Sequence, residues 1–257
     1  VSVNGSRILP DVIEESRRLS DVLEAQGIPV RLLGGLGIRL VAAAAYPPEL
    51  AREYNDIDLV TDSRHGRQLA QSLAEQGYEP NQMFNRMHGA RRLLFYDEPN
   101  KRQLDVFVGT FEMCHTLPIA ERLNVVPLTL PAADLLLTKL QIVRLNEKDR
   151  NDAYALLLAL DVGTTDDGAI NAAWVARLCA RDWGLYRTLQ LNLEKLREGL
   201  SGAPLSDAER DLITQRLAAI ETAMEDEPKG SKWKLRARVG DKVRWYEDPE
   251  EVERHGY

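Results

Sequence analysis

Two aspartates stand two residues apart inside a short apolar run, Asp56-Ile57-Asp58-Leu59-Val60, and a third lies in another, Leu104-Asp105-Val106-Phe107. Side chains alternate along a strand, so Asp56 and Asp58 share one face while Ile57 and Leu59 take the other, toward a core. Neighbouring carboxylates repel, and a hard divalent cation is the usual means of holding them together. Burying such a pair with no partner would cost several kcal/mol. A bend, Gly34-Gly35-Leu36-Gly37, follows the apolar run Val30-Arg31-Leu32-Leu33. Glycines at a helix start leave backbone N–H groups bare at the positive end of the dipole, a seat for phosphate. Metal-binding acids beside a phosphate seat point to chemistry on a nucleoside triphosphate.

Each signal has a plainer reading. Glycines near a helix start most often make a tight turn. No Lys-Ser/Thr follows Gly37, so the bend is not a Walker loop, and it lacks the third glycine of a dinucleotide fingerprint. Asp105 taken singly fits a turn or capping role. Lys139 falls on an apolar helical stripe with Leu135, Leu136, Leu140 and Val143. It could snorkel to the surface, or meet a triphosphate and offset its charge. Asp149 and Asp152 are three apart, hence neighbours on one helical face. They either complement the helix dipole or orient Lys139 or an acceptor hydroxyl. Arg39, Arg91 and Arg92 could help hold phosphate, although solvated arginines are commoner. His88 and His115 have no partners at metal-ligand spacing.

The elements that must position these residues follow from periodicity. A helix is expected from Pro10 to Gln26, stopped by Gly27, then the Val30–Leu33 strand, then a helix from the glycine bend through alanines 42–45, ended by Pro47-Pro48. Glu49–Asn55 reads as a loop, Asp56–Thr61 as a strand and Arg64–Gln76 as an amphipathic helix. Arg91–Tyr96 and Gln103–Val108 read as strands joined by a hairpin loop. Phe111–Leu117 and Val125–Leu130 read as short edge strands, with Pro127 keeping the latter from the centre. From Pro131 the pattern turns helical: one helix carries Lys139, and others cover Lys148–Leu160, Ile170–Arg181, Trp183–Arg197 and Ser206–Glu225. Ser206 and Glu209 have capping-box spacing. Lys229–Tyr246 alternates basic with aromatic and aliphatic residues and reads as a basic hairpin, either packed on the helices or lying along RNA.

The expected fold is therefore α/β, a mixed sheet flanked by helices with a mainly helical C-terminal region. Residues 1–130 would form the α/β domain, 131–228 a helical domain and 229–257 a basic C-terminal hairpin or tail. Composition agrees: 257 residues, 44% hydrophobic and 28% charged, are ordinary for a globular protein. The net charge of −7 argues against a general nucleic-acid coat protein. Cys114 and Cys179 lack metal or redox spacing and read as reduced, buried thiols. No apolar run approaches the roughly 20 residues of a membrane span, and no signal-peptide pattern opens the chain. The expectation is a soluble, cytoplasmic protein.

Strand–Gly-Gly–helix, then a strand with Asp-Ile-Asp, then a strand with Leu-Asp-Val resembles the nucleotidyltransferase superfamily that includes polymerase beta, the aminoglycoside nucleotidyltransferases and the abortive-infection toxins of AbiEii and MenT type. The resemblance covers about residues 30 to 160. It implies that Gly34 and Gly35 seat the triphosphate, that Asp56, Asp58 and Asp105 bind two Mg²⁺ ions, and that a nucleoside triphosphate is the substrate. The AbiEii-type branch adds a lysine after the sheet and an acidic helix start, matched by Lys139 and by Lys148-Asp149-Arg150-Asn151-Asp152. Lys139 would then contact the nucleotide, and Asp152 would join the catalytic set. In place of the family's serine after the glycines this chain has Leu36-Gly37, leaving phosphate contacts to backbone N–H groups, and Gly35 to Asp56 is longer than typical. The acceptor implied is a tRNA end, a protein hydroxyl or a small molecule, with an antitoxin protein as partner if the chain is a toxin. The rival implication is a non-catalytic nucleotide-binding or interaction module on the same fold.

Overall fold

The structure, a computed structural model, describes residues 8–248; the last nine residues of the expected C-terminal tail and the first seven of the chain lie outside it. The first helix, α1 (Val12–Ala25), is capped by the Asp11 carboxylate, which accepts from the backbone N–H groups of Ile13 and Glu14. Gly27 follows with φ of 75°, a conformation in which glycine carries no Cβ penalty. Strand β1 (Val30–Leu33) leads directly into α2 (Gly34–Val41). This helix is shorter than expected. It stops at Val41, and alanines 42–45 form a turn, since Ala42 already closes the helix by donating to the Ile38 carbonyl. After a one-turn 3-10 helix at Pro48–Leu50 come β2 (Asp56–Thr61) and α3 (Gly66–Gln76), the latter stopped by Gly77 at φ 103°.

The short strand β3 (Glu79–Pro80), helix α4 (Gln82–His88) and strands β4 (Arg92–Asp97) and β5 (Arg102–Val108) complete a five-stranded sheet in the order β1-β2-β5-β4-β3. β2 and β5 pair in parallel; the remaining neighbours are antiparallel. The expected Phe111–Leu117 strand is a small hairpin of β6 (Phe111–Glu112) and β7 (Thr116–Leu117). Val125–Leu130 is not a strand. It pairs with the sheet edge at an isolated bridge between Leu32 and Thr129, and the Arg31 guanidinium donates to the Val126 carbonyl at 2.7 Å; Pro127 has no N–H to pair with and Leu128 has a positive φ of 64°.

The helical half contains α5 (Ala132–Leu140), α6 (Glu147–Ala159), α7 (Ala172–Arg181), α8 (Trp183–Gly199) and α9 (Asp207–Asp226), with a two-stranded pair of β8 (Asp161–Gly163) and β9 (Ala169–Asn171) before α7. The Ser206–Glu209 capping box forms as expected. Residues 229–246 do not form a hairpin. Residues Ser231–Val239 are a helix, α10. Alternation in Trp233–Val239 is compatible with both forms, but Lys, Leu, Arg and Ala favour a helix. Trp233, Arg236 and Ala237, at helical spacing, turn inward, and the Trp233 indole donates to the Cys179 carbonyl at 2.8 Å. Cys114 and Cys179 are both buried and free.

The two sheet faces have different partners. Ile57, Leu59, Leu104 and Val106 pack with Leu19, Leu23, Leu69 and Leu73 of α1 and α3. Leu33, Val60 and Phe107 point the other way, into the core shared with the C-terminal helices. Alternation then dictates that Asp56, Asp58 and Asp105 emerge on this second face, between sheet and helical half. Among the described residues no helix is long and apolar enough to cross a membrane.

Candidate active site

The central geometric fact is a register. Across the parallel β2–β5 pair Asp58 stands opposite Asp105, and Asp56 opposite Gln103. On the other flank Leu33, the last residue of β1, stands opposite Asp58. The glycine bend therefore begins beside the acids. Gly34 has φ of 65°, and a Cβ there would run into the Asp58 carboxylate. This position needs glycine twice over: for its backbone angle and for the close approach of Asp58.

Asp58 is half-buried, and its carboxylate forms neither a hydrogen bond nor an ion pair with any described residue. Desolvation, and then the charges of Asp105 and Asp56, push its pKa up to about 7, with Lys139 and Arg92 pulling the other way. Asp105 is buried and is held by Arg92, whose Nε donates to Oδ1 at 2.8 Å and to Oδ2 at 3.2 Å while Nη2 donates to Oδ2. The expectation that Arg92 is a solvated arginine is thus replaced by a forked pair. Arg91 is paired with Glu112 at 2.9 Å on the outside, and Arg39 lies over the Tyr46 ring.

Lys139 does not snorkel to solvent. Its Nζ donates to Asp149 Oδ1 at 2.8 Å and meets Asp152 Oδ2 at 3.0 Å. Burial pulls its pKa down, but the charges of Asp152 and Asp149 more than offset this and the net shift is upward, so the group is an ammonium. Asp152 is fully buried and shares Oδ2 with a second cation, Arg52, whose Nη2 donates at 3.0 Å. Both reach the helix start: a Cβ on Gly35 would meet Arg52 and lie 2.9 Å from Asp152 Oδ2. Arg52 also stacks on Tyr54, 4.3 Å from the ring centroid.

Sequence reasoning missed Arg52, leaving Glu49–Asn55 as a plain loop. Its one available signal was a cation in the stretch that lengthens the interval between Gly35 and Asp56. The expected residues Gly34, Gly35, Asp56, Asp58, Asp105, Lys139, Asp149 and Asp152 lie on the five elements α2, β2, β5, α5 and α6; α2 packs against both α5 and α6.

The donor set fits hard cations in identity and register: carboxylate oxygens on rigid strands, with mutual repulsion that a divalent ion would relieve. As they stand, however, no three His, Cys, Asp or Glu side chains among the described residues converge on one metal position. Beyond Arg92 opens a cleft of ≈ 700 Å³, walled by Phe107, His115, Trp245 and Tyr246 and by the acids Glu112 and Asp182. The C-terminal segment forms part of that wall, with Glu247 N–H donating to the Cys114 carbonyl and the Trp245 indole to Thr188 Oγ1.

Residues 11–124 match the model of a family described as "Uncharacterised nucleotidyltransferase", a span that holds both glycines and all three strand acids but ends before Lys139 and Asp152. Among solved structures the chain is similar to a lincosamide antibiotic adenylyltransferase, LnuA, in a lincomycin-bound crystal structure, at 19% identity over 56% of this chain and 94% of that one, with a TM-score of 0.39. It is also similar to the Megavirus polyadenylate synthase, at 14% identity over 70% of this chain and 39% of that one, with a TM-score of 0.34. No curated protein matches the sequence significantly.

Proposed function

We propose that the chain moves a nucleoside monophosphate from a nucleoside triphosphate to an acceptor hydroxyl, with Asp56, Asp58 and Asp105 holding two Mg²⁺ ions. The observation that carries this reading is the Asp58–Asp105 register beside Gly34. When bound, the ions would neutralise the triphosphate and favour ionisation of the attacking hydroxyl. The chain's own residues do the rest. The α2 N-terminus presents its backbone N–H groups and dipole to phosphate. Arg52 and Lys139, both tethered by Asp152 next to Gly35, supply fixed positive charge toward the leaving pyrophosphate. Asp105 takes the proton of the acceptor hydroxyl, which approaches through the cleft beyond Arg92.

The Lys139–Asp149–Asp152 cluster supports the resemblance to the AbiEii-type branch; the acceptor is then a tRNA end, a protein hydroxyl or a small molecule, and an antitoxin protein is the partner if the chain is a toxin. Growth arrest on expression, lost in Asp58→Asn, is expected if the chain is a toxin and absent if the acceptor is a small molecule. The general reading is tested with nucleoside triphosphates labelled at the α-phosphate, Mg²⁺, and total cellular RNA, protein and metabolites. Label should pass to one fraction with release of pyrophosphate, and Asp58→Asn should abolish transfer. Tight nucleotide binding without Mg²⁺ and without transfer would instead mark a non-catalytic binding module.

A further inference from the structure

We infer that Arg92 is the resident counter-charge of the acid cluster: it holds Asp105 in the metal-free protein and competes with a divalent ion for that carboxylate. The inference rests on the metal assignment proposed above and concerns what competes with the metal.

Strand geometry brings the pair together. β4 runs antiparallel to β5, with Arg92 opposite Phe107 and Leu94 opposite Asp105. Arg92 and Asp105 therefore share a face and are diagonal neighbours, within reach of a long side chain. The fork uses Nε and Nη2 against both carboxylate oxygens, so it fixes the orientation of Asp105 as well as neutralising it. The guanidinium is itself braced, with Phe107 at 5.2 Å and Phe84 at 5.9 Å from Cζ to ring centroid. Both partners are mostly shielded from water, 14% and 7% exposed at their side chains, so solvent screens the pair weakly.

Asp58, one register position across, has no such partner among the described residues. The two strand acids are thus unequal: one carries its own cation and the other does not. A divalent ion approaching Asp58 meets an Asp105 whose oxygens are already engaged. A divalent ion held at Asp58 would compete with the Arg92 guanidinium for the Asp105 oxygens, weakening the Arg92 hydrogen bonds. No proton or electron is transferred. A guanidinium released from Asp105 has somewhere to go, because Arg92 also lines the ≈ 700 Å³ cleft. Arg92 is thereby a positioning residue that holds metal affinity down and couples the acids to the cleft.

The test is calorimetric titration of the whole chain with Mn²⁺, in the absence of nucleotide, backed by the electron paramagnetic resonance signal of free Mn²⁺. Wild type is compared with Arg92→Gln, Arg92→Lys, Arg91→Gln and Asp58→Asn. Arg92→Gln should bind Mn²⁺ about tenfold tighter, the equilibrium equivalent of one charge-assisted hydrogen bond. Arg92→Lys, which keeps the charge and gives up the fork, should show an intermediate gain and carries the test if the glutamine variant does not fold. Arg91→Gln removes an equal charge from the same cleft and should bind as wild type. Equal or weaker binding by both Arg92 variants overturns the inference and leaves the metal assignment standing. So does an equal gain in Arg91→Gln, which would mark a bulk charge effect. If Asp58→Asn binds Mn²⁺ like wild type, or none of the proteins binds it, the metal assignment and this inference fall together.

Discussion

Lys139 and Asp152, on consecutive helices, meet at 3.0 Å in a setting where Asp152 has no exposed surface, and the same Asp152 oxygen accepts from Arg52. One carboxylate therefore fixes two cations beside the glycine bend. Removing it leaves two charges facing each other with little water between them. Asp152→Asn should cost about 3 kcal/mol of stability. Asp149→Asn, which removes the more exposed partner of Lys139, should cost about 1 kcal/mol. Urea unfolding of the two variants checks the order, and an Asp149 variant that loses as much as the Asp152 variant would contradict it.

The two glycines Gly27 and Gly34 separate backbone strain from crowding. Both have positive φ, 75° and 65°. Nothing lies within 4 Å of a Cβ at Gly27, whereas one at Gly34 collides with Asp58. Gly27→Ala should cost about 1 kcal/mol, the left-handed penalty alone. Gly34→Ala should cost distinctly more, and the excess should vanish in an Asp58→Ala background. A double-mutant cycle by thermal or urea unfolding measures this directly; no coupling between positions 34 and 58 would refute the close approach.

His115 ties stability to pH at the cleft wall. It is buried against Thr188, with its Nε2 2.8 Å from Oγ1. Burial holds its pKa below the ordinary 6.5, against a weaker opposing pull from Asp182. Because the folded protein prefers neutral His115, its contribution is fully present above pH 6.5 and is lost as pH falls below 6.5 through the lowered folded value. Wild type should lose stability between pH 8 and pH 5, and His115→Gln should lose less. Denaturant unfolding across that range decides it, and parallel pH profiles for the two proteins would exclude His115 as the cause.

Strand alternation made Asp56, Asp58 and the Ile57/Leu59 core face legible before any coordinates, and the same logic exposed Asp105. What alternation cannot supply is which strand lies beside which. The parallel pairing that brings Asp105 to Asp58 is a long-range choice made by the whole sheet. Arg52 was invisible for a related reason: its partner Asp152 is 100 residues away, and its own segment has no period. The segment around Trp233 misled because alternating polarity in a short run with little buried surface fits a strand or a helix equally. Contacts of Trp233 with Cys179 and of Arg236 with Trp183 chose the helix. Lys139 shares a helix with the buried Leu135, Leu136 and Leu140, but α5 ends before Val143, and only the packing of α5 on α6 shows that Asp149 and Asp152 meet the lysine there.

The claim on which the functional proposal depends is that Asp58 and Asp105 act as one ligand set for metal-bound nucleotide. Calorimetric titration of nucleoside triphosphate into wild type, Asp58→Asn and Asp105→Asn, each with and without Mg²⁺ and each shown folded by circular dichroism, tests it most directly. Wild type should bind only when Mg²⁺ is present, and both variants should lose that binding by at least about a hundredfold, roughly 2.7 kcal/mol. Unchanged Mg²⁺-dependent binding in either folded variant would contradict it.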